Sequence, residues 1–533
     1  MRGKIQERTQ SREQGTAGNN FHERVLAANC QRLIMGKHPQ IIDTPSRDCK
    51  VANHSCREPK KSLRFPAVRV CAVSVHSVPC RVSPLFVEQM KYLFPQLVAC
   101  LFVACLGMTA TLAQNFDDLR SAGHGIDIDA DGRVIPLSQE RSNALGRMMA
   151  NVLEPPSETL DRRVSRRAIS LKRLDAQIRE IVEQYEVLPD AIRYMGGLTS
   201  IEYIILLPEE NDLLLMGPAE GWRTDAAGNV VGNQTGLPIL VLEDFLTALR
   251  LWQQPVPPRS IICSIDPTPE AMARLTRLHQ QFTSVNANNA AAYAAALEEA
   301  YGENPITITG VPATSRFARI LVAADFQMKR IALGLEPSQV RDIPSYVSLI
   351  AASRLNISPH FWLMPEYGTI SHDSARLTWR LGNLRIRALS HEDHTSPQRN
   401  RGTNRAALIW CRNMEQHFDA LARTQPVFGE LRNNMRLAQV AALIRQENLL
   451  QRANCTPTTL LDATRLRLVD YPEPKSVAFR SVRAHSGFST IVACGGIEIN
   501  PQNAVQNNVR LDSRIDTERA RLLPVLGEEW WGH

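Results

Sequence analysis

The sequence predicts a fold of the α/β or α+β class, with a mixed sheet, several packed helices and a C-terminal helical pair. Strand-like and helix-like segments alternate along most of the chain, which is typical of these classes. Of the 533 residues, 44% are hydrophobic and 22% are charged, a composition that supports a large buried core. We therefore expect one large globular domain over residues 158–500.

The segment before this domain, residues 114–157, is predicted to be a flexible lead-in. Its acidic stretch from Asp127 to Gly132 has the oxygen-ligand spacing of a calcium loop, but Ser138 stands where that loop needs Glu. The same residues also fit a tight Asp-Gly turn between two strands. We favour the turn.

A long amphipathic helix is predicted next, capped at Ser157 after two prolines. Apolar residues recur at spacings of three, four and seven from Leu160 to Tyr185, which predicts one buried stripe on a continuous helix. A hairpin and then alternating helices and strands follow. The hairpin strands are residues 201–206 and 213–216. The predicted helices are residues 242–252, 290–301 and 315–335, and a further helix starts at Pro269 after the cap Thr268. The predicted strands between these helices are residues 260–265 and 306–308.

The C-terminal part is predicted to contain a two-residue hairpin turn at Gly382-Asn383, because apolar and polar residues alternate on both sides of it. Two helices, residues 405–423 and 431–450, form the predicted helical pair, with residues 426–429 as their linker. A last strand over 490–494 meets a Gly-Gly pair. The polar tail, residues 501–533, is expected to be loosely held.

Residues 90–113 have the order of a secretory signal peptide. Lys91 gives a positive start, an apolar run follows, and small side chains precede a cleavage point between Ala113 and Gln114. The run is shorter than the roughly 20 apolar residues of a membrane span. The predicted product is exported, periplasmic or extracellular, with no stable membrane span after cleavage. Lipid attachment at Cys105 is the alternative, because a lipoprotein signal ends in a similar way.

Residues 1–89 are basic and contain five cysteines whose spacings match no zinc pattern. We interpret them as a mis-annotated upstream or disordered extension; a small metal-binding segment is the alternative. Subtracting the 16 basic and 7 acidic residues of 1–113 from the totals of 61 and 54 leaves 45 and 47, a net charge of −2. The net charge of +7 therefore belongs to the N-terminal segments, and we expect no nucleic-acid partner.

Four cysteines remain after the predicted cleavage point: Cys263, Cys411, Cys455 and Cys494. An even number in an oxidising compartment allows two disulfides in three pairings. Cys263 lies in an apolar strand and is instead interpreted as a small buried hydrophobic residue. The pairing stays open at this point.

Familiar catalytic motifs are absent from the sequence, including the Walker loop, the nucleophile elbow and the zinc-protease helix. The catalytic candidates are Asp325, Lys329 and Glu220. Asp325 and Lys329 are four residues apart on a predicted apolar helix, so they share a face, and an ion pair that fixes the helix is the favoured interpretation. Glu220 lies in a rigid turn after a strand, where ligand loops and ordinary turns both occur.

The candidates for ligand binding are Trp222, in the same turn, and Arg316 and Arg319, at the start of that apolar helix. His391 and His394 flank Glu-Asp and are the candidates for metal binding. Adjacent residues rarely ligate one ion together, and a solvated loop is the favoured interpretation. We expect no cofactor.

Four stretches resemble a known family. They are residues 204–222, ending in Gly-Pro-Ala-Glu-Gly-Trp, residues 263–270, residues 310–336, and residues 426–444, starting with Pro-Val-Phe-Gly-Glu-Leu-Arg-Asn. Together they resemble the exported planctomycete proteins grouped as domain of unknown function 1598, over roughly residues 160–460. The resemblance implies export and one large shared domain, and it assigns no catalytic residues.

A well-formed exported domain without a catalytic motif leads us to expect a non-catalytic binding or structural protein of the cell envelope or periplasm. A binding partner in the cell envelope is compatible with such a role. The alternative is a hydrolase or metal-dependent enzyme without a recognisable motif, which would use Asp325, Glu220 or the pair His391 and His394.

Overall fold

The computed structural model describes residues 121–523, except 185–186, 283–287, 351–358, 391–404, 479–481, 485–488 and 492. The described residues lie in one compact unit. The predicted signal peptide, the extension before it and the histidine pair at 391 and 394 lie outside the described residues.

The strands vary from two to eight residues in length. They are β1 (Ala122–Gly123), β2 (Ile126–Ile128), β3 (Arg133–Pro136), β4 (Val164–Ser170), β5 (Tyr203–Leu207), β6 (Asp212–Ala219), β7 (Trp222–Thr224), β8 (Val230–Gly232), β9 (Ile261–Ile265), β10 (Glu303–Thr309), β11 (His360–Tyr367), β12 (Ile370–His372), β13 (Thr378–Leu381), β14 (Leu384–Ser390), β15 (Ser476–Ala478), β16 (Val482–Ala484), β17 (Ser489–Ile491), β18 (Cys494–Ile499) and β19 (Val509–Leu511).

The helices vary from four to 21 residues in length. They are α1 (Gln139–Val152), α2 (Glu158–Asp161), α3 (Leu171–Glu183), α4 (Asp190–Arg193), α5 (Leu242–Trp252), α6 (Pro269–Gln281), α7 (Ala290–Tyr301), α8 (Arg316–Leu333), α9 (Tyr346–Leu349), α10 (Arg405–Gln416), α11 (Phe418–Thr424), α12 (Pro426–Gln446), α13 (Leu449–Arg452), α14 (Thr458–Leu461), α15 (Gln502–Asn507) and α16 (Arg514–Leu522).

Two large sheets organise the chain, and both contain parallel and antiparallel pairs. The nine-stranded sheet has the order β1-β2-β3-β15-β10-β9-β18-β11-β14, and the six-stranded sheet has the order β19-β12-β13-β5-β6-β4. Strands β11 and β18 pair in parallel, whereas β9 pairs with β10 and β18 in antiparallel fashion. The predicted mixed α/β class is therefore confirmed.

The helix α8 lies at the centre of the core, because nearly all of its residues are buried. It packs on β9 and against α5 and α12. A helix buried all around is apolar on every side, and charged residues on it need partners inside the protein. The charged side chains of α8 are therefore the ones whose partners matter most for the site.

The predicted hairpin at Gly382-Asn383 is wrong in its pairing, although both of its strands exist. β13 pairs with β5 and β12 in the six-stranded sheet, whereas β14 pairs with β11 in the nine-stranded sheet. The glycine takes the chain from one sheet to the other, next to Gly368, where β11 passes into β12. A Cβ atom on Gly382 would lie 2.6 Å from the Thr369 carbonyl oxygen, so only glycine fits this crossing.

The predicted long helix from Ser157 is also wrong, because the strand β4 interrupts it. Ser157 does cap a helix, but that helix ends at Asp161, and Ser170 caps α3. β4 pairs with β6 over most of its length. The spacing of its apolar residues also fits one face of a helix, but pairing with β6 in the sheet makes this segment a strand.

Three boundaries near the C-terminus differ from the predictions. Residues 426–429, predicted as a linker, form the first turn of α12, whose first residue is proline. Gly495-Gly496 lies inside β18 rather than after a strand. The tail predicted to be loose is ordered from residue 502 to residue 522, because β19 pairs with β12, and Ile515 and Leu522 are buried.

The predicted lead-in contains β1, β2, β3 and α1 in its described part, and Ile126 is fully buried. The acidic stretch is the turn between β2 and β3, as favoured, with the Asp129 side chain accepting hydrogen bonds from the backbone amides of Asp131 and Arg133. Among the described residues, no helix combines the length and the apolar character that crossing a membrane requires.

Candidate functional site

Glu220 is a buried carboxylate that holds a loop in place. It is 1% exposed and accepts hydrogen bonds from the backbone amides of Gln234 and Thr235, at 2.8 and 3.1 Å, and from the Thr235 hydroxyl. These bonds use both carboxylate oxygens. The arrangement fixes the turn after β8 against the end of β6.

Trp222 is also buried, with 3% of its surface exposed. Its indole nitrogen donates a hydrogen bond of 3.0 Å to the Glu154 carbonyl oxygen, and its ring lies 6.2 Å from the ring of Tyr194. These contacts connect β7 to the segment after α1. The structure thus places Trp222 in the core rather than on a ligand-accessible wall.

Asp325 and Lys329 form the ion pair that the sequence favours. The Lys329 ammonium lies 2.8 Å from Asp325, and it also donates to the carbonyl oxygens of Gly495, at 2.9 Å, and Ile265, at 3.1 Å. Burial raises the pKa of Asp325 to about 7, against the attraction of Lys329. The pair fixes α8 to the end of β9 and the start of β18.

Arg316 connects three helices through two carboxylates. It pairs with Asp244 of α5 and, at 2.7 Å, with Glu430 of α12, and its guanidinium lies 3.3 Å from the His124 ring nitrogen. A planar guanidinium can serve several acceptors at once, which suits a buried network of this kind. Removing one member would leave charges buried without partners.

The acidic groups around Arg316 have unusual protonation equilibria. Burial raises the pKa of Asp244 to about 6 and that of Glu243 to about 7, and the neighbouring Asp244 carboxylate adds to the shift of Glu243. Burial also lowers the pKa of His124, against the attraction of Glu430. Perturbed groups of this kind occur in functional sites and in structural networks alike.

Arg319 lies one turn further along α8 and is 1% exposed. It donates to the Ser121 carbonyl oxygen at 2.8 Å and faces the ring of Tyr471 at 5.9 Å. Burial lowers its pKa to about 10. Together with Arg316 it connects α8 to the first described strand.

A polar cleft of about 530 Å³ opens between the six-stranded sheet and α12, at the crossing near Gly382. This volume is in the range of small-molecule sites. Threonine, serine and asparagine side chains, four arginines and two carboxylates contribute to the wall. They include Thr199, Ser200, Glu202, Thr369, Ser371, Arg380, Asn383, Arg432, Asn433, Arg436, Asp512 and Arg514.

Arg436 differs from the other arginines of the cleft because it pairs with no carboxylate. It is 6% exposed, and it donates to the Gly382 carbonyl oxygen at 2.8 Å and to the Gln439 side-chain oxygen at 2.6 Å. Its Nε atom has no hydrogen-bond partner among the described residues. Burial lowers its pKa to about 10, so the side chain is still cationic at neutral pH.

The other three arginines of the cleft already have carboxylate partners. Arg432 pairs with Asp419, Arg380 with Glu518, and Arg514 with Asp512. Exposed pairs of this kind contribute little stability, so the partners can exchange at low cost. The cleft therefore carries a fixed buried cation and a rim of exchangeable ones, an arrangement that suits an anionic ligand.

The sequence reasoning did not identify this cleft, although one signal for it was present. Arg432 and Arg436 are four residues apart, so they share a helix face, and Arg436 lies between the apolar residues Met435 and Leu437. The remaining wall comes from strands that only the folded chain brings together. The binding candidates Arg316, Arg319 and Trp222 do not line it.

The cysteine side chains bear on two further expectations, disulfide formation and metal binding. The cysteines Cys263, Cys411, Cys455 and Cys494 are all buried, and among the described residues they form none of the disulfides that their even number allows. Asp266, His360 and Cys494 are the described residues whose side chains come close enough to share one ion. The sequence reasoning did not group these three.

Fold and cleft together define a mixed α/β protein with an arginine-containing polar cleft between the six-stranded sheet and α12. Residues 263–346 match the family model described as protein of unknown function (DUF1598). The matched residues contain α8 with its buried charged side chains, but neither Asp244 and Glu430, the partners of Arg316, nor any residue that lines the cleft. Comparisons with curated proteins and with solved structures found no match.

Proposed function

We propose that this is an exported, non-catalytic binding protein of the cell envelope or periplasm, whose cleft binds a small polar ligand with an acidic group. The observation that carries the proposal is Arg436, a buried cation without a carboxylate partner in the wall of a cleft. Glu202 of the same wall attracts the Arg436 guanidinium, but the cost of burial outweighs this attraction, because the pKa of Arg436 is lowered. A bound anion would supply the missing partner.

The rest of the wall supports the same ligand class. Thr199, Ser200 and Ser371 offer hydroxyl groups, and Asn383 and Asn433 offer amides, so a ligand with several hydroxyl or carbonyl groups finds donors and acceptors there. Arginine binds carboxylate and phosphate groups in the same forked geometry. Both groups therefore belong to the proposed ligand chemistry, and the experiment distinguishes them.

The test is a thermal-shift screen of the full chain, followed by calorimetry. A sugar acid and a sugar phosphate are compared with the neutral sugar and with inorganic phosphate. We expect an acidic ligand to raise the melting temperature and the neutral sugar to have no effect, because the neutral sugar offers no partner to Arg436. The preference between carboxylate and phosphate identifies the acidic group.

The variant Arg436→Met tests the residue itself. A hydrogen bond to a charged group contributes about 1.5–3 kcal/mol, so the variant is expected to bind roughly 10- to 100-fold more weakly. Arg250→Met is the matched control. Arg250 is a partly buried arginine outside the cleft that, like Arg436, donates to two uncharged oxygens, here the backbone carbonyl oxygens of Leu460 and Leu466. Equal weakening in both variants, or no preference for acidic ligands, would contradict the proposal.

Export is supported by the signal-like order of residues 90–113 and by the resemblance to exported planctomycete proteins. Mass spectrometry of the native N-terminus after cell fractionation tests it. We expect a start at Gln114 in a fraction outside the cytoplasm, or a lipid on Cys105 if the lipoprotein alternative holds. Peptides from residues 1–89 in a cytoplasmic fraction would contradict export.

A further inference from the structure

Three residues that can bind metal lie in one row across three adjacent strands. His360 and Cys494 are the first residues of β11 and β18, and they are direct partners in the parallel register. In the antiparallel pair of β18 and β9, Gly496 lies opposite Ser264. Continuing this register by two residues places Cys494 opposite Asp266, which follows β9.

The row points to the same face of the sheet, because residues directly opposite one another on paired strands project to the same side. Cys494 packs with residues of α6 and α7 on this face. Cys263 is three residues before Asp266 on the neighbouring strand, so its side chain projects to the other face, where it packs in the main core. The Asp266 carboxylate, the His360 ring and the Cys494 sulfur offer ligand atoms that all lie within 4.8 Å of one another.

The backbone around the row is held in place by hydrogen bonds to Asp266 and Lys329. The Gly495 amide donates a 3.0 Å hydrogen bond to an Asp266 side-chain oxygen, and Lys329 binds the carbonyl oxygens of Ile265 and Gly495. Gly495 has a φ of +102°, and a Cβ atom there would lie 2.0 Å from the Phe361 carbonyl oxygen. Contacts of this kind, which orient ligands without binding the metal, contribute to metal affinity.

We propose that Asp266, His360 and Cys494 bind one Zn²⁺ ion. Thiolate, imidazole and carboxylate are the three side-chain ligands of zinc in proteins, and a mixed set that includes sulfur disfavours magnesium and calcium. Tetrahedral zinc at its usual bond lengths keeps ligand atoms roughly 3.3–3.6 Å apart, which small side-chain rotations reach from the observed spacing. Three protein ligands leave the fourth position to water or to another small ligand.

The geometry favours a shared ion over a nucleophilic relay of cysteine, histidine and aspartate. In a relay the histidine lies between the other two groups, because it bonds to both. Here Cys494 is on the middle strand, with Asp266 and His360 on either side. None of the three residues lines the arginine-containing cleft, so the zinc site is independent of the proposed binding function.

The test measures zinc in the full chain after metal removal, reloading with Zn²⁺ alone and dialysis under reducing conditions. Competition with a chromogenic chelator gives the affinity of the wild-type chain and of the variants. Cys494→Ser and His360→Ala are expected to weaken zinc binding by about 100-fold or more, since loss of supporting contacts alone costs 10- to 100-fold. Cys263→Ser, on the same sheet but the opposite face, is the matched control and keeps the wild-type affinity.

The proposal is overturned if the wild-type chain retains no zinc, or if Cys494→Ser and His360→Ala bind zinc as tightly as the control. If the chain holds zinc elsewhere, for example at the cysteines before residue 90, the two variants will bind zinc as tightly as the control. If the variants do not fold, X-ray absorption of zinc in the wild-type chain decides. One sulfur at about 2.3 Å with nitrogen and oxygen ligands supports the site, whereas no sulfur or several sulfurs overturn it.

Discussion

Replacing Lys329 with methionine removes the ammonium group that joins α8 to β9 and β18. The substitution preserves most of the side-chain volume, so the loss falls on three bonds: to Asp325 at 2.8 Å, to the Gly495 carbonyl at 2.9 Å and to the Ile265 carbonyl at 3.1 Å. A buried acceptor left without its donor costs about 1–3 kcal/mol. A buried carboxylate left without its counter-charge costs about 3–5 kcal/mol.

The loss of unfolding free energy in Lys329→Met depends on pH, and the pKa of Asp325 determines the direction of this dependence. Its pKa in the folded chain, about 7, lies above the unfolded value, so protonation favours the folded chain. That contribution is complete below about pH 4 and is lost as the pH rises through 7. Without Lys329 the folded-state pKa rises further, so the variant carries an additional penalty wherever the wild-type carboxylate is ionised.

We therefore expect Lys329→Met to lower the free energy of unfolding by about 1–3 kcal/mol at pH 5, where Asp325 is protonated in the folded chain. At pH 8 the loss grows by at most about 1.4 kcal/mol, to about 2–4 kcal/mol, because pH 8 lies one unit above the wild-type pKa of about 7 and the carboxyl of the variant stays protonated. Urea titration followed by tryptophan fluorescence measures both values. Lys172→Met is the control, because the Lys172 ammonium binds one carbonyl oxygen at the surface, and we expect a change within about 0.5 kcal/mol. A loss below about 1 kcal/mol at pH 8, or one that does not grow with pH, would refute this account of the ion pair.

Other predictions concern the Arg316 network and the backbone near β18. Arg316→Met leaves Asp244 and Glu430 buried without their guanidinium, and we expect a loss of about 3–5 kcal/mol, seen as a lower melting temperature; an unchanged melting temperature would show that the network contributes nothing. Asp244 and Glu243 have raised pKa values, about 6 and about 7, which predicts that the stability of the wild-type chain falls as the pH rises from about 4.5 to 7. Urea titrations across this pH range measure the change, and a constant stability would contradict the prediction. Gly495→Ala forces a Cβ atom against a neighbouring carbonyl at a positive φ, and we expect a loss of about 3 kcal/mol or more in the same titration, whereas near wild-type stability would contradict the close approach.

Local patterns predicted many elements well because their signals lie within a few residues. The helix over 242–252, the cap at Thr268 with its proline and the hairpin of β5 and β6 agree with the structure. The predictions were wrong where pairing between strands that are distant in the sequence determines the structure. β4 has spacing that also fits a helix, and Gly382-Asn383 has the composition of a hairpin turn but connects two sheets.

The same division applies to the sites. The pair of Asp325 and Lys329 could be predicted, because residues four apart on a helix share a face. The partners of Arg316 could not, since Asp244 and Glu430 lie on helices far away in the sequence. The row of Asp266, His360 and Cys494 likewise depends on the strand register, which no local pattern in the sequence specifies.

The central claim, that the cleft binds an acidic ligand through Arg436, is tested most directly by a crystal structure of the chain with the tightest-binding acid from the thermal-shift screen. We expect the acidic group within hydrogen-bond distance of the Arg436 guanidinium, in the cleft beside α12. Ligand density at another place, with the cleft holding only solvent, would contradict the claim.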